Sequence, residues 1–251
     1  FIYNYFIGLK AIRNNIPNFI TLLNLTAGAI SIAFAAIGNF QVAGILVLIA
    51  ALFDFMDGLL ARLLKASSPL GGQLDSLADM VSFGFAPAFL LHIFLKKLTL
   101  PGYLTTELLY VQPEILVVVL FPFLLAVFAA IRLAIFNLNS RQSNHFIGLP
   151  VPAVALFFVS AVISLEYQID LYIHEVNWMI MILLFSVLMV VSFPMFSLKL
   201  KHYRWKGNEI QYIFIGISLI LLVTLQTIGL CLAVIVYIFL SGLMNVLHLN
   251  R

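Results

Sequence analysis

Charge is scarce in this 251-residue chain: Asp, Glu, Lys and Arg make up 9% of it, against 63% hydrophobic residues and a mean hydropathy of +1.13. Soluble domains carry roughly a quarter charged residues, so the composition excludes that class and assigns the chain to lipid. Cysteine is scarcer still. Cys231 stands alone in a long apolar run, which excludes a disulfide framework and a thiolate metal site and leaves an inert buried thiol. His92, His145, His174, His202 and His248 are scattered without metal-ligand spacing, and read as packing residues or polar tips rather than as ligands. The sequence has no glycine-rich phosphate loop and no nucleophile elbow, and its net charge of only +3 gives nucleic-acid binding no basis.

What the chain does have is long apolar runs. A membrane crossing takes about 20 apolar residues, and eight segments qualify, near 17–37, 41–64, 74–95, 113–136, 150–166, 177–197, 210–225 and 229–247. The expected fold class is all-α and integral to the membrane, with about eight transmembrane helices. The run from Tyr212 to Leu247 is too long for one crossing, and Gln226-Thr227-Ile228-Gly229 is its turn. Residues 1–15 include Lys10 and Arg13 and are too short in their apolar part to span, which suits an N-terminal interfacial amphipathic helix rather than a cleaved signal peptide. Pro17 is expected at the start of the first crossing. Trp178, Tyr203 and Trp205, near span ends, read as interface anchors.

Basic residues in short loops favour the cytoplasm. With the N-terminus inside, Lys10, Arg13, Arg62, Lys65, Arg132, Arg141, Lys199, Lys201, Arg204, Lys206 and Arg251 lie at or near that face, and only Lys96 and Lys97 lie opposite. The expected placement is therefore a multi-pass protein of the cell (inner) membrane with both termini cytoplasmic. Lys199, Lys201, Arg204 and Lys206 form a basic cluster suited to anionic lipid and to fixing topology.

Against this background, four of the ten acids crowd into one stretch: Asp54, Asp57, Asp75 and Asp79. Asp54, Asp57, Gly58 and Ala61 follow i, i+3, i+4, i+7 spacing and share a helix face. Ser67-Ser68-Pro69-Leu70-Gly71-Gly72 has the composition of a turn, and Asp75 and Asp79 repeat the arrangement at i, i+4 on the next helix. A hairpin of two helices thus aims four carboxylates at one pocket. A carboxylate at the centre of a span costs about 2.5–3.5 kcal/mol, so four would cost on the order of 10 kcal/mol if unpaired. They would repel one another unless a cation neutralised them. Hard oxygen ligands suit magnesium, manganese or calcium better than zinc. The plainer alternative pairs the acids with Arg62 and Lys65. From Gln41 to Phe53 a helix climbs about 20 Å, which puts Asp54 in the inner half of a roughly 30 Å hydrocarbon core.

Asp54-x-x-Asp57-Gly58-x-x-Ala61-Arg62, then after eight residues Gly71-x-x-x-Asp75-x-x-x-Asp79, resembles without a gap the signature of the CDP-alcohol phosphatidyltransferases. The resemblance implies a membrane enzyme that displaces CMP from a CDP-linked lipid, with Mg2+ or Mn2+ as the divalent cofactor and Ca2+ as a substitute. It implies metal ligation by Asp54, Asp57, Asp75 and Asp79, with Asp79 also the general base on the acceptor hydroxyl. Pro17-Asn18-x-x-Thr21 is similar to a family pattern as well, which implies that Asn18 and Thr21 hold the cytidine end of the donor. Gly58 and Ala61 leave room for the nucleotide, or else permit close helix packing. Arg62 and Gly71 complete the expected CDP-lipid site, Arg62 by steadying phosphate charge or a ligand Asp.

Residues 73–89, QLDSLADMVSFGFAPAF, resemble the bacterial-type phosphatidylserine synthases of that family. So do Ala130-Ile131-Arg132-Leu133-Ala134-Ile135-Phe136-Asn137 and Phe146-Ile147-Gly148-Leu149-Pro150-Val151-Pro152-Ala153, although Ile135 stands where many relatives carry Arg. This implies transfer from CDP-diacylglycerol to L-serine, with CMP released. Arg132 is placed to grip a serine carboxylate, with Asn137 and Arg141 as further acceptor-binding candidates. Snorkelling, or an ion pair with a motif Asp, is the alternative for Arg132. Glycerol 3-phosphate or an inositol-type acceptor is a second possibility, and a divalent-cation transporter a third, although no inverted repeat supports transport. The implied organisation is residues 1–15 as the interfacial segment, 16–197 as a six-helix catalytic core, and 198–251 as the basic cytoplasmic loop with two C-terminal helices. The resemblance also implies a homodimer.

Overall fold

The computed structural model describes residues 2–66, 68–138, 146–169, 171–196, 205 and 207–247, with only the backbone for 2–14, 109, 146 and 147. Nearly every apolar run between polar interruptions is helical, as it must be where no water satisfies backbone groups. Helix α1, Ile2–Ala36, turns at Gly38 into α2, Phe40–Leu63, whose cap Asn39 accepts from the Val42 amide at 3.1 Å. Ser31 of α1 donates to the Ala43 carbonyl of α2 at 2.7 Å, clipping the hairpin together.

Ser68 caps the next helix, α3 (Pro69–Asp79), accepting from the Gly71 amide at 2.9 Å while Pro69 begins the helix. The chain then widens into a π-helical stretch, Met80–Phe85, and resumes as α4, Ala86–Thr99. Helix α5, Pro113–Leu120, is separated from α6, Phe123–Leu138, at Pro122, which lacks an N–H for the ladder. Helices α7, Val151–Tyr167, and α8, Glu175–Val190, follow. The two-residue strands Phe146–Ile147 and Pro194–Met195 pair antiparallel and tie the segments before α7 and after α8.

Helix α9, Glu209–Val246, breaks at Gln226 (φ 52°, ψ −126°). The break matches the expected turn at 226–229. Gly229 lies so close to the opposing arm that a Cβ there would stand 2.2 Å from the Leu221 carbonyl oxygen. Thr227 donates to Gln168 Oε1 at 2.8 Å, and the Ser164 and Thr227 hydroxyls lie 2.9 Å apart, which fastens the bend to α7.

Among the described residues, five helices are long and apolar enough to cross a membrane: 15–36, 40–63, 69–99, 113–138 and 209–246, the last taken as one. The expected crossings near 150–166 and 177–197 are shorter apolar helices of 17 and 16 residues. The eight expected segments all form helices, with α9 contributing two arms about Gln226; five helices, α9 taken as one, have the length to cross, and two are shorter. The segment 69–99 is the most enclosed, with 67% of its most apolar window buried against 28% for α2. Its own Leu90, Leu91 and Phe94 share the core with Phe40, Phe158 and Trp178.

Three local expectations change. Pro17 lies inside α1, which begins at Ile2, rather than at the start of a helix. Gly71 and Gly72 belong to the first turns of α3 rather than to the preceding turn, because Ser68 caps the helix ahead of them. Trp178 is fully buried, edge-on to Phe94 with ring centroids 5.5 Å apart, and anchors the interior rather than the interface. Trp205 is exposed and stacks on Tyr212; Tyr203 lies outside the described residues.

Candidate active site

Helical spacing puts Asp54 and Asp57 on one face of α2, and the short Ser68-capped turn folds α3 back so that Asp75 meets them. Each of the three offers a carboxylate oxygen, and those atoms lie within 4.8 Å of one another. Asp79, one turn beyond Asp75, stands outside that trio but approaches Asp54 closely enough for the two side chains to interact.

Helix α1 braces both halves of the hairpin. Thr21 donates to Asp57 Oδ2 at 2.6 Å, and the pair is buried. One turn deeper, the fully buried Asn24 donates from Nδ2 to Asp79 Oδ1 at 3.5 Å. Asn24 was not singled out in the sequence. The signal was available, since Asn18, Thr21 and Asn24 recur every three residues along an apolar helix.

Beside the acids opens a cleft of about 270 Å³, lined by Asn18, Thr21, Asp57, Gly58, Ala61, Gly71 and Asp75 among others. Five of the six residues expected to hold the CDP-lipid therefore line one cavity. At Gly58 a Cβ would meet nothing within 4 Å, so close helix packing does not require glycine there. At Gly71 the reverse holds: a Cβ would stand 2.8 Å from Asn18 Oδ1, so glycine lets α3 close on α1. Arg62, the sixth, is exposed and does not line the cleft; its Nε donates to the Gly58 carbonyl at 2.9 Å.

The ion-pair alternative for the acids is not realised. Among the described residues, the only carboxylate salt bridges are Lys97 with Glu166 and His174 with Glu175, both remote from the cluster. Three carboxylates within 4.8 Å, with no salt-bridge partner, imidazole or thiol beside them among the described residues, fit a hard divalent cation whose oxygen ligands sit about 2.0–2.6 Å away.

Helix α6 runs antiparallel to the α3–α4 segment. Asn137 Nδ2 donates to Ser76 Oγ at 2.9 Å, and Ala129 faces Gly84 further along. Asn137 is thereby tied to the helix that carries Asp75 and Asp79, and does not line the cleft. Arg132 is buried in α6 with its guanidinium over the Phe136 ring at 5.5 Å, and its Nε has no hydrogen-bond partner. It pairs with none of the motif acids and does not line the cleft. Arg141 lies outside the described residues. Of the histidines expected to be structural, His92 is buried with Nδ1 2.6 Å from the Val119 carbonyl oxygen. Cys231 is likewise buried, against Ser160.

The family profile described as CDP-alcohol phosphatidyltransferase matches residues 14–191. The CDP-diacylglycerol–serine O-phosphatidyltransferase of Helicobacter pylori (strain ATCC 700392 / 26695) is 30% identical over 218 residues, covering 85% of this chain and 84% of that protein. The protein of the same name from Bacillus subtilis (strain 168) is 30% identical over 155 residues, 62% of this chain and 78% of its own. An archaetidylserine synthase from Methanothermobacter thermautotrophicus is 29% identical over 179 residues, 70% of this chain and 67% of its own.

Proposed function

This chain belongs to the CDP-alcohol phosphatidyltransferase family, and we propose that it is a phosphatidylserine synthase, transferring the phosphatidyl group of CDP-diacylglycerol to the hydroxyl of L-serine. The observation that carries the reading is the convergence of Asp54, Asp57 and Asp75 within 4.8 Å beside a cleft floored by Gly58. Serine as acceptor is supported by relatives whose names share serine while their lipids differ.

Asp54, Asp57 and Asp75, with Asp79 beside them, would hold Mg2+ or Mn2+, with Ca2+ as a substitute. When bound, the cation supplies charge neutralisation to the pyrophosphate and to the departing CMP. Asn18 and Thr21 hold the cytidine end of the donor, Gly58 and Ala61 leave room for the nucleotide, and Gly71 lines the same cleft. Arg62, at the exposed rim, meets phosphate charge. Asp79 takes the proton from the serine hydroxyl, whose oxygen forms a bond to the phosphorus carrying diacylglycerol. The bond from that phosphorus to the bridging oxygen breaks, and CMP leaves with the electron pair. Arg132, a buried guanidinium without a carboxylate partner among the described residues, receives the serine carboxylate, with Asn137 and Arg141 as further acceptor-binding residues.

The protein is a multi-pass membrane protein; we place it in the inner membrane as a homodimer, with active site and termini facing the cytoplasm, where CMP is released to water. The distribution of basic residues supports the orientation. Incubation with labelled serine, CDP-diacylglycerol and Mn2+ or Mg2+, followed by chromatography of the lipid, is expected to yield labelled phosphatidylserine. CMP release with glycerol 3-phosphate or an inositol phosphate but not with serine would overturn the acceptor. Cation flux into liposomes without CMP formation would overturn the enzyme.

A further inference from the structure

An amide fully buried in a membrane-spanning helix is costly unless its polar atoms are engaged. Asn24 is 0% exposed, its Oδ1 has no partner, and its Nδ2 reaches one side chain, Asp79, at 3.5 Å. The Asn24 main-chain carbonyl accepts from the Ser82 hydroxyl at 3.0 Å, and Ser82 lies three residues beyond Asp79 on the π-helical stretch. Asn24, Asp79 and Ser82 therefore close a ring between α1 and the segment that follows α3. Gly28, one turn from Asn24 on α1, seats the ring. A Cβ at Gly28 would lie 2.3 Å from Ser82 Oγ and 2.7 Å from its Cα, so only glycine lets the two backbones meet there.

The four acids differ in what fixes them. Asp54, Asp57 and Asp75 share one small volume, and a cation between them would hold all three. Asp79 lies outside that volume and needs a separate restraint, which comes from Asn24, a residue that does not line the cleft.

We propose that Asn24 is a positioning residue for transfer: its amide restrains Asp79 through Oδ1, leaving Oδ2 for the acceptor hydroxyl, while Ser82 and Gly28 set its depth. The inference rests on the phosphatidylserine synthase reading above, and on Asp79 as its base. A residue acting this way affects turnover through the orientation of another group, and misplacement by an ångström lowers rate by about 10²-fold.

The test uses the purified full chain in proteoliposomes. Wild type must first release CMP with serine; if it does not, the reading of function fails rather than this inference. In Asn24→Ala, kcat is expected to fall about 10²-fold. KM for CDP-diacylglycerol and Mn2+ affinity, read from the electron paramagnetic resonance signal of free Mn2+, should stay within about threefold of wild type. Asn24→Asp keeps the size but removes the donor, and is expected to lose at least as much turnover. Ser82→Ala is expected to lower kcat by several-fold on its own and to add less than twofold to Asn24→Ala, since both act through one ring. If Asn24→Ala does not fold, Asn24→Ser and Ser82→Ala carry the same comparison. Turnover within threefold of wild type in the folded Asn24 variants would overturn the proposal. So would Mn2+ affinity falling in step with kcat, because Asn24 would then support the metal trio instead.

Discussion

The Thr21 hydroxyl lies 2.6 Å from Asp57 Oδ2, across 36 positions of sequence, with both side chains buried. A buried carboxylate with a single side-chain donor is sensitive to that donor, because an unpaired buried acceptor costs about 1–3 kcal/mol. Thr21→Val is therefore expected to lower CMP release by on the order of tenfold at limiting Mn2+ and to raise the Mn2+ concentration for half-maximal rate. Thr21→Ser, which keeps the hydroxyl, should stay near wild type. Equal rates for the valine and serine variants would show that the contact is dispensable.

Removal of metal should abolish activity reversibly. A chelator is expected to stop CMP release, and added Mn2+ or Mg2+ to restore it. Because an ion that binds only the folded protein stabilises it by mass action, saturating Mn2+ should also raise the thermal midpoint by roughly a few degrees. Asp54→Asn, Asp57→Asn and Asp75→Asn should each cost on the order of 10² to 10³ in rate, and each should shrink that thermal shift. An unchanged shift in all three would place the ion elsewhere.

Asp79 should behave differently from the trio. Asp79→Asn is expected to lose on the order of 10³ in kcat while keeping most of the Mn2+-dependent thermal shift, since it stands outside the group whose oxygens lie within 4.8 Å. Near-normal turnover in Asp79→Asn with metal bound would remove it as the base.

Two glycines offer a contrast. Gly58 faces open space, whereas a Cβ at Gly28 would overlap the Ser82 backbone. Gly58→Ala should leave the thermal midpoint within about 2 °C of wild type and raise KM for CDP-diacylglycerol. Gly28→Ala should destabilise by about 1–3 kcal/mol, visible as a lower midpoint and poorer yield. A stable Gly28→Ala with wild-type kinetics would mean that α1 can shift away from Ser82.

The acid hairpin was legible because its signal is local: helical spacing alone puts Asp54 with Asp57 and Asp75 with Asp79, and a short turn brings the pairs together. The break at Gln226 was legible for the same reason, as a polar interruption in a run too long for one crossing. Features that depend on contacts between distant segments were not. Asn24 gains its meaning only from Asp79, 55 positions away, and Trp178 is drawn inside by Phe94 and Phe158, against the usual place of tryptophan at span ends. The helical state of Gly71 and Gly72 was hidden because glycine composition reads as a turn, while Ser68 and Pro69 together begin a helix. The π-helical stretch has no composition that sets it apart.

That stretch, Met80–Phe85, joins two halves of one long rod. Upstream, its setting decides which way Asp75 and Asp79 aim; downstream, it decides which side of α4 meets Phe40 and Trp178. Because an i→i+5 stretch turns less per residue than an α-helix, these six residues sweep about the arc of five α-helical ones, and deleting one would restore the regular pitch while leaving the two halves nearly in register. The stretch thus takes up one residue of extra length while the acids keep their heading against the interior that anchors them.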